Sequence, residues 1–514
     1  MMSKEKKYLL YGMVLVLIAA MGLTFAYFAA GIEGSKKVIN VTWADLKIVF
    51  KNGDAIQADN IKPGWSTTNI FSVENQTKNV YKYNIDILDL YNTFVTTGFL
   101  KYKITSTDGG YNMTEFKDVP KSEDYTSEVL AYSVEIPANT THNYTIEFVY
   151  EASDTVDQSD DMGKELEGNL YISKGTVAPT LANMMLRDNP TIKERTDFKK
   201  NTETTTGTIY KTNKTEDGSD VYYYSGNTTN NWVKFGGFYW RIIRTNEDGS
   251  VRILYSGTSH DTTTGYIGTS AFNSIKSDPM YVGYMYGTTG SLENNRTNTN
   301  DSTIKVAVDT WYENNLLTNY DKYLSKTAIY CNDRSVPSNG YSASSNFEYG
   351  VNTRIGNYMP SYKCGANTNN ELFETTQATA DKFSASTDGG GNGQLKYPIA
   401  LMTADEVSFA GGISGTSLSS PYAWYYTNSN GNSIIGDGYW WLLSSFAWYH
   451  STSFNYSNVF YVYGSSGPGL LFNETVNYSH AVRPAISLDS CVQIKSGDGT
   501  PESPYEIDYE NSCN

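Results

Sequence analysis

The stretch GYWWLLSSFAWYHSTSFNYSNVFYVYGSSGPGLLFNETVNYSHAVRPAISL, residues 438–488, decides how the rest of the chain is read. Tyr439, Trp440, Trp441, Leu442 and Leu443 open it as a dense apolar strand, and Ala481-Val482-Arg483-Pro484-Ala485-Ile486 closes it as another. Between them, Tyr449 to His480 is built from Tyr, Ser, Asn, Phe, Val, Gly, Thr, Leu, Pro and His, with Glu474 its one formally charged residue. Period-two alternation sets Val459, Phe460 and Val462 against Tyr461 and Tyr463, a strand with two different faces. Tyr supplies a large, stiff, amphipathic contact at little entropic cost, and Ser, Gly and Asn adapt their hydrogen bonds around it. That is the composition of a contact surface rather than of a catalytic cleft.

The chain has 514 residues, too many for one ordinary core, so two or three domains are expected. Its net charge of −16 and the lack of any basic run exclude nucleic acid as a partner and suit a solvated surface protein. Tyr (43 residues), Asn, Thr, Ser and Gly dominate, Pro is scarce, and turn signals recur along the chain, which predicts a β-rich protein. The cysteines Cys331, Cys364, Cys491 and Cys513 fall as two local pairs without CxxC spacing. Disulfides Cys331–Cys364 and Cys491–Cys513 are expected in an exported chain, free buried thiols are the alternative, and metal ligation is least favoured.

Residues 1–31 read as a transmembrane anchor: Lys4, Lys6 and Lys7 precede the charge-free run Leu9 to Ala30, about 33 Å long as a helix. The basic flank would stay inside and the rest outside, a cleaved signal peptide being the competing reading. Residues 38–175 read as an all-β sandwich. Leu46 to Phe50 is a strand, Lys51-Asn52-Gly53-Asp54 a hairpin turn, and Val80 to Leu88 and Tyr144 to Tyr150 are half-buried strands. Residues 176–231 read as a connector holding one short helix, Leu181 to Arg187, stopped by Asn189-Pro190. The last domain, 232–514, opens with a hairpin of Trp232 to Arg244 and Val251 to Tyr255 around Asn246-Glu247-Asp248-Gly249. Ser302 caps one helix there, with Ile304, Val308, Trp311 and Leu316 at helical spacing. Thr403 and Glu406 form a capping box on a second, which ends at Gly411-Gly412, so an α+β domain is expected.

The segment "IKPGWSTTNIFSVENQTKNVYKYNI", residues 61–85, resembles the immunoglobulin-like spacer sandwiches of bacterial surface and camelysin-type proteins. In the last domain, "NNWVKFGGFYWRIIRTNEDGSVRILYSG", "AVDTWYENNL", "YPIALMTADEVSFAGG", "GYWWLLSS", "VRPAISL" and "GDGTPESPYEI" resemble surface proteins of gut Firmicutes with a C-type-lectin-like domain of the formylglycine-generating-enzyme type. That fold includes the variable proteins of diversity-generating retroelements, whose hypervariable residues sit near the C-terminus. Nearly every residue from Tyr449 to His480, Glu474 excepted, is of a type reachable by changing the first two bases of an Asn codon ending in a pyrimidine. The resemblance implies a scaffold of Val459, Phe460, Val462, Val476, Val482, Arg483 and Pro484. It implies a ligand-binding set of Tyr461, Tyr463, Phe472, Asn473, Thr475, Asn477, Tyr478 and His480, joined by Trp448, Tyr449, His450, Phe454 and Tyr456 on the preceding loop.

Enzyme readings are weaker. Residues 438–488 contain no cysteine for formylglycine-generating chemistry. Gly415-Thr416-Ser417-Leu418-Ser419-Ser420-Pro421 resembles a subtilase serine motif, yet the one histidine between Gly175 and Gly415 is His260, outside any glycine-rich histidine motif. His142, His260, His450 and His480 are scattered, although His450 and His480 could meet in space. The expectation is therefore a cell-surface binding or adhesion protein without cofactor or catalytic residues, its partner an extracellular protein, a glycan or a phage component. The alternative is a structural subunit of a surface fibre or biofilm matrix.

Overall fold

Apolar and polar side chains alternate along Trp65–Asn75 and Thr140–Tyr150, and the two strands pair antiparallel from Trp65↔Tyr150 to Asn75↔Thr140. The computed structural model describes residues 38–43, 46–51, 61–162, 164–176, 178–202, 204–336, 340–371, 381–387 and 391–513. It divides into a unit ending at Ala178 and a unit from Pro179 to Cys513.

The first unit is a two-sheet sandwich. One sheet runs Val38–Trp43, Leu46–Lys51, Trp65–Asn75, Thr140–Tyr150, Leu100–Ser106, Lys117–Asp118, and the other Ser122–Ile136, Tyr81–Asn92, Leu166–Lys174. The inward residues Phe71, Val73, Ile104 and Ile146 of one sheet meet Ile85, Ile87, Leu90 and Ile172 of the other in a single core. A polar knot is buried among them: Tyr83 bonds both the Tyr144 hydroxyl and His142 Nδ1, the latter at 2.9 Å.

In the second unit a main sheet runs Thr191–Glu194, Thr208–Thr212, Val221–Tyr223, Phe238–Thr245, Trp232–Phe235, Tyr505–Ile507, Ile494–Ser496. Val251–Tyr255 joins it beside Phe238–Thr245, and Pro484–Leu488 and Ile399–Leu401 follow in turn. From Pro179 onward, the stretch expected as a connector, 176–231, is thus part of this unit and supplies three strands of its largest sheet. The expected single strand from Trp232 to Arg244 is two strands. Gly236 and Gly237, at φ +62° and +82°, make the two-residue turn between Phe235 and Phe238 that matches strand twist. The two ends of this unit lie side by side: the Leu181 N–H donates to the Val492 carbonyl at 3.1 Å, Thr180 bridges to Gln493, and Cys491 is joined to Cys513, the unit's last residue. Disulfides join Cys331 to Cys364 and Cys491 to Cys513.

The expected fold class is corrected. Strand makes up 37% of the described structure and helix 12%, spread over several sheets, so the fold as a whole is mainly β. Its helices are short pieces over the sheets, the longest Thr303–Asn315 at 13 residues. No described helix is long and apolar enough to cross a membrane. The Leu9 to Ala30 run and the Asn52-Gly53-Asp54 turn lie outside the described residues.

Local chemistry sets the helix ends. Ser302 accepts from the Lys305 N–H, Thr180 from the Asn183 N–H, and Thr403 and Glu406 close a capping box on Ala404–Ala410, stopped by left-handed Gly411 at φ +117°. Glu406 is fully buried and also receives Arg252 Nη1 at 2.9 Å and Arg244 Nε at 3.3 Å. Arg354 forks onto Asp405 and reaches Asp333, and Arg334 pairs with Asp381 at 2.7 Å. A fully buried guanidinium is tolerated where carboxylates and carbonyls saturate it, and these pairs pin the loops that wrap the sheets.

Candidate ligand-binding face

The second sheet of this unit runs Thr269–Ala271, Ser479–Ala481, Tyr439–His450, Asn455–Tyr463, Leu471–Thr475. Residues opposed in an antiparallel pair share a face. The registers Tyr439↔Tyr463, Trp441↔Tyr461↔Phe472 and Val459↔Glu474 therefore put those side chains on one side. His480 joins them: its ring lies 4.5 Å from Trp441, 5.2 Å from Tyr439 and 5.6 Å from Tyr461. Tyr463 lies 4.5 Å from Tyr439 and 5.0 Å from Tyr461. The five rings form one cluster at this end of the sheet.

Exposure grades across the cluster. Trp441 and Tyr461 (3% exposed) are its floor, and Tyr439, Tyr463 and His480 are half-buried. Phe472 (45% exposed), beside Tyr461, and Tyr478 (56%), on the turn into Ser479–Ala481, are its open part. Burial raises the Tyr461 hydroxyl above the ordinary phenol range, helped by its hydrogen bond to Tyr463 and by the charge of Glu474. Burial lowers the His480 imidazole against the opposing pull of Glu474, and its buried Nε2 finds no hydrogen-bond partner among the described residues. At neutral pH the Tyr461 phenol and the His480 imidazole are thus both neutral.

The expected ligand-binding set does not form one surface. Bulges between Trp441 and Ala447 shift the register, so that Trp448, Tyr449 and His450 oppose Ser457, Tyr456 and Asn455 at the far end of the hairpin. Tyr456 and Tyr461 stand an odd number of residues apart on one strand and point to opposite faces. At the far end Tyr456 contacts Tyr449 at 5.1 Å and stacks on Phe454 at 5.3 Å, Phe454 being 52% exposed. Trp448 is buried, with its indole N–H on the Ala343 carbonyl at 3.1 Å, and His450 lies beside it with its rings 6.4 Å apart. Thr475 is buried too, and Asn473 accepts from Asn458 Nδ2 at 2.7 Å on the face away from Phe472. Asn477 is exposed on the turn with Tyr478. Trp448, Tyr461 and Thr475 are therefore interior residues, corrected from the surface role expected of them. The residues expected as scaffold, Val459, Phe460, Val462, Val476, Val482, Arg483 and Pro484, are all buried. Sequence reading missed Tyr439, Trp441 and Glu474 as members of the face. Their signal was the i, i+2 pairing of Tyr439 with Trp441 opposite Tyr461 with Tyr463.

His450 and His480 lie at opposite ends of the hairpin. Among the described residues, the one His, Cys, Asp or Glu group with metal-like spacing is Asp489, Cys491 and Cys513, and both its sulfurs are in the disulfide. Ser417 is exposed, and His260 places Nδ1 2.8 Å from Ser429 Oγ instead.

No protein-family model matches the sequence, and no curated protein matches it. Among solved structures that align is one titled "AvmM Catalyzes Macrocyclization in Alchivemycin A Biosynthesis". It aligns at a TM-score of 0.16 and 10% identity, over 28% of this chain and 100% of that chain. A likeness of that size carries no argument about fold or function.

Proposed function

We propose that this chain is an exported binding protein whose second unit recognises a ligand without covalent chemistry, through the open end of the Tyr439–Tyr463 sheet. The observation that carries the reading is the ring cluster itself. Tyr439, Tyr463 and His480 stand half-open on a buried Trp441 and Tyr461 floor, with Phe472 and Tyr478 exposed beside them. Rings held by one another lose little freedom on contact, which is what makes aromatic residues efficient anchors at interfaces. Two disulfides support a place outside the cytoplasm. The lectin-like and retroelement resemblance belongs to the same proposal. A near-copy of the codons for residues 439–488 beside a reverse transcriptase, differing only at adenines, is its genomic test.

The binding reading is tested by replacing Tyr463, Phe472 and Tyr478 together with Ala. The expected result is loss of partner capture from the native surroundings, with an unchanged far-ultraviolet spectrum and little change in melting temperature. Undiminished capture by the folded triple variant would remove the face from the proposal.

A further inference from the structure

Among the described residues that line the aromatic face in register, Glu474 carries a full charge, and its sign narrows the ligand. Glu474 opposes Val459 in register, which puts its carboxylate on the side of Trp441, Tyr461 and Phe472. It is near enough to act electrostatically on both Tyr461 and His480. No Lys or Arg occurs between Tyr449 and His480. Arg483, the nearest cation along the chain, is fully buried over Trp440, with its Nη1 on the Tyr425 carbonyl at 2.8 Å and its Nε on the Tyr255 carbonyl at 3.1 Å. It offers the open face nothing.

Ring faces are the negative ends of a quadrupole, and a carboxylate beside them adds a charge of the same sign. Both features attract a cation and repel an anion. The net charge of −16 adds a field that draws cations toward the whole surface and leaves orientation to the local site. Exposed Asn477 and Tyr478 lie on the neighbouring turn, where their amide and hydroxyl can bond a peptide backbone on either side of a bound side chain.

We propose that the open end of this sheet takes a cationic side chain, a lysine ammonium or arginine guanidinium carried by a polypeptide partner, over Tyr463 and Phe472 and beside Glu474. This rests on the binding function proposed above for the same face and names the chemistry of its ligand.

The experiment is a calorimetric titration of the full chain at physiological salt. The probes are a lysine-bearing decapeptide, its arginine counterpart and the same peptide with every lysine acetylated. Wild type is compared with Glu474→Gln and Tyr463→Leu, each first shown to melt as wild type does. The expected result is binding of the lysine and arginine peptides, at least tenfold weaker binding of the acetylated one, and about tenfold loss in each variant, the size of a cation–π contact that is partly desolvated. Equal binding of charged and acetylated peptides, lost in Tyr463→Leu, overturns the cation and leaves the aromatic face as a binding site. Binding of the charged peptides that neither substitution weakens is diffuse attraction to an acidic protein and overturns the site assignment. Failure of all three peptides overturns the cation, and the triple alanine variant then decides the parent proposal separately.

Discussion

Arg354 Nη2 lies 2.7 Å from Asp405 Oδ2 while Nε lies 2.9 Å from Oδ1, a two-pronged pair with both side chains buried. The same Nη2 also reaches Asp333 at 2.8 Å, and Asp405 further accepts from the Ser361 N–H at 2.8 Å. One guanidinium thus ties the helix Gly350–Gly356 to the first turn of Ala404–Ala410 and to the loop after Cys331.

Replacing Arg354 by Met strands two carboxylates in the interior. A loss of about 3–5 kcal/mol is expected in urea unfolding of the second unit, the usual cost of breaking a buried ion pair from one side. Arg354→Lys keeps the charge without the fork and should recover only part of it.

Tyr461 and Tyr478 were expected in one surface set, yet one is interior and the other exposed. Tyr461→Ala should cost about 3–5 kcal/mol, as large aromatic truncations in cores do. Tyr478→Ala should stay within about 0.5 kcal/mol. Thermal unfolding of the two variants side by side distinguishes floor from rim.

The Cys331–Cys364 bridge closes 33 residues and Cys491–Cys513 closes 22. Loop-closure entropy predicts about 3–4 kcal/mol for each, slightly more for the longer loop. Double Ser replacement of either pair, followed by urea melts under oxidising conditions, should reproduce that order.

Acid should destabilise the protein in two stages. Burial lowers His480 and His142 below their ordinary 6.5, so the folded chain holds fewer protons than the unfolded one as pH falls through that value. Stability contributed there is present above pH 6.5 and declines below it. Burial alone would raise Asp381, but Arg334 and Arg296 pull it down to about 2 from 3.8, so a second loss follows between those values. Melting temperature against pH should fall in both windows, and His480→Phe should flatten the first for the second unit alone.

What was legible in the sequence was local. The caps at Thr180, Ser302 and Thr403, the stop at Gly411, the turn at Gly249 and the pairing of near-neighbour cysteines all follow from chemistry within a few residues. The aromatic face was only half legible. Alternation separates Tyr461 from Val462, yet both sides of that strand are covered, one by the Trp441 cluster and the other by the core under Trp440. The bulges between Trp441 and Ala447, which turn Tyr449 to the face of Tyr456, leave no trace in composition. The buried arginines were illegible for the same reason: Arg252 and Glu406 are 154 positions apart, and an isolated Arg reads as exposed until its partner is placed.

Thr180 meets Gln493 across a bridge, and the Cys491–Cys513 cross-link fastens the outgoing strand near the same spot. The polypeptide from Thr180 to Cys513 is therefore a loop drawn shut at its neck. A domain of that kind can be transplanted: spliced into a surface turn of an unrelated host, it demands no separation of the host's two cut ends and so need not distort either fold. The Tyr439–Tyr463 hairpin would travel with it as cargo.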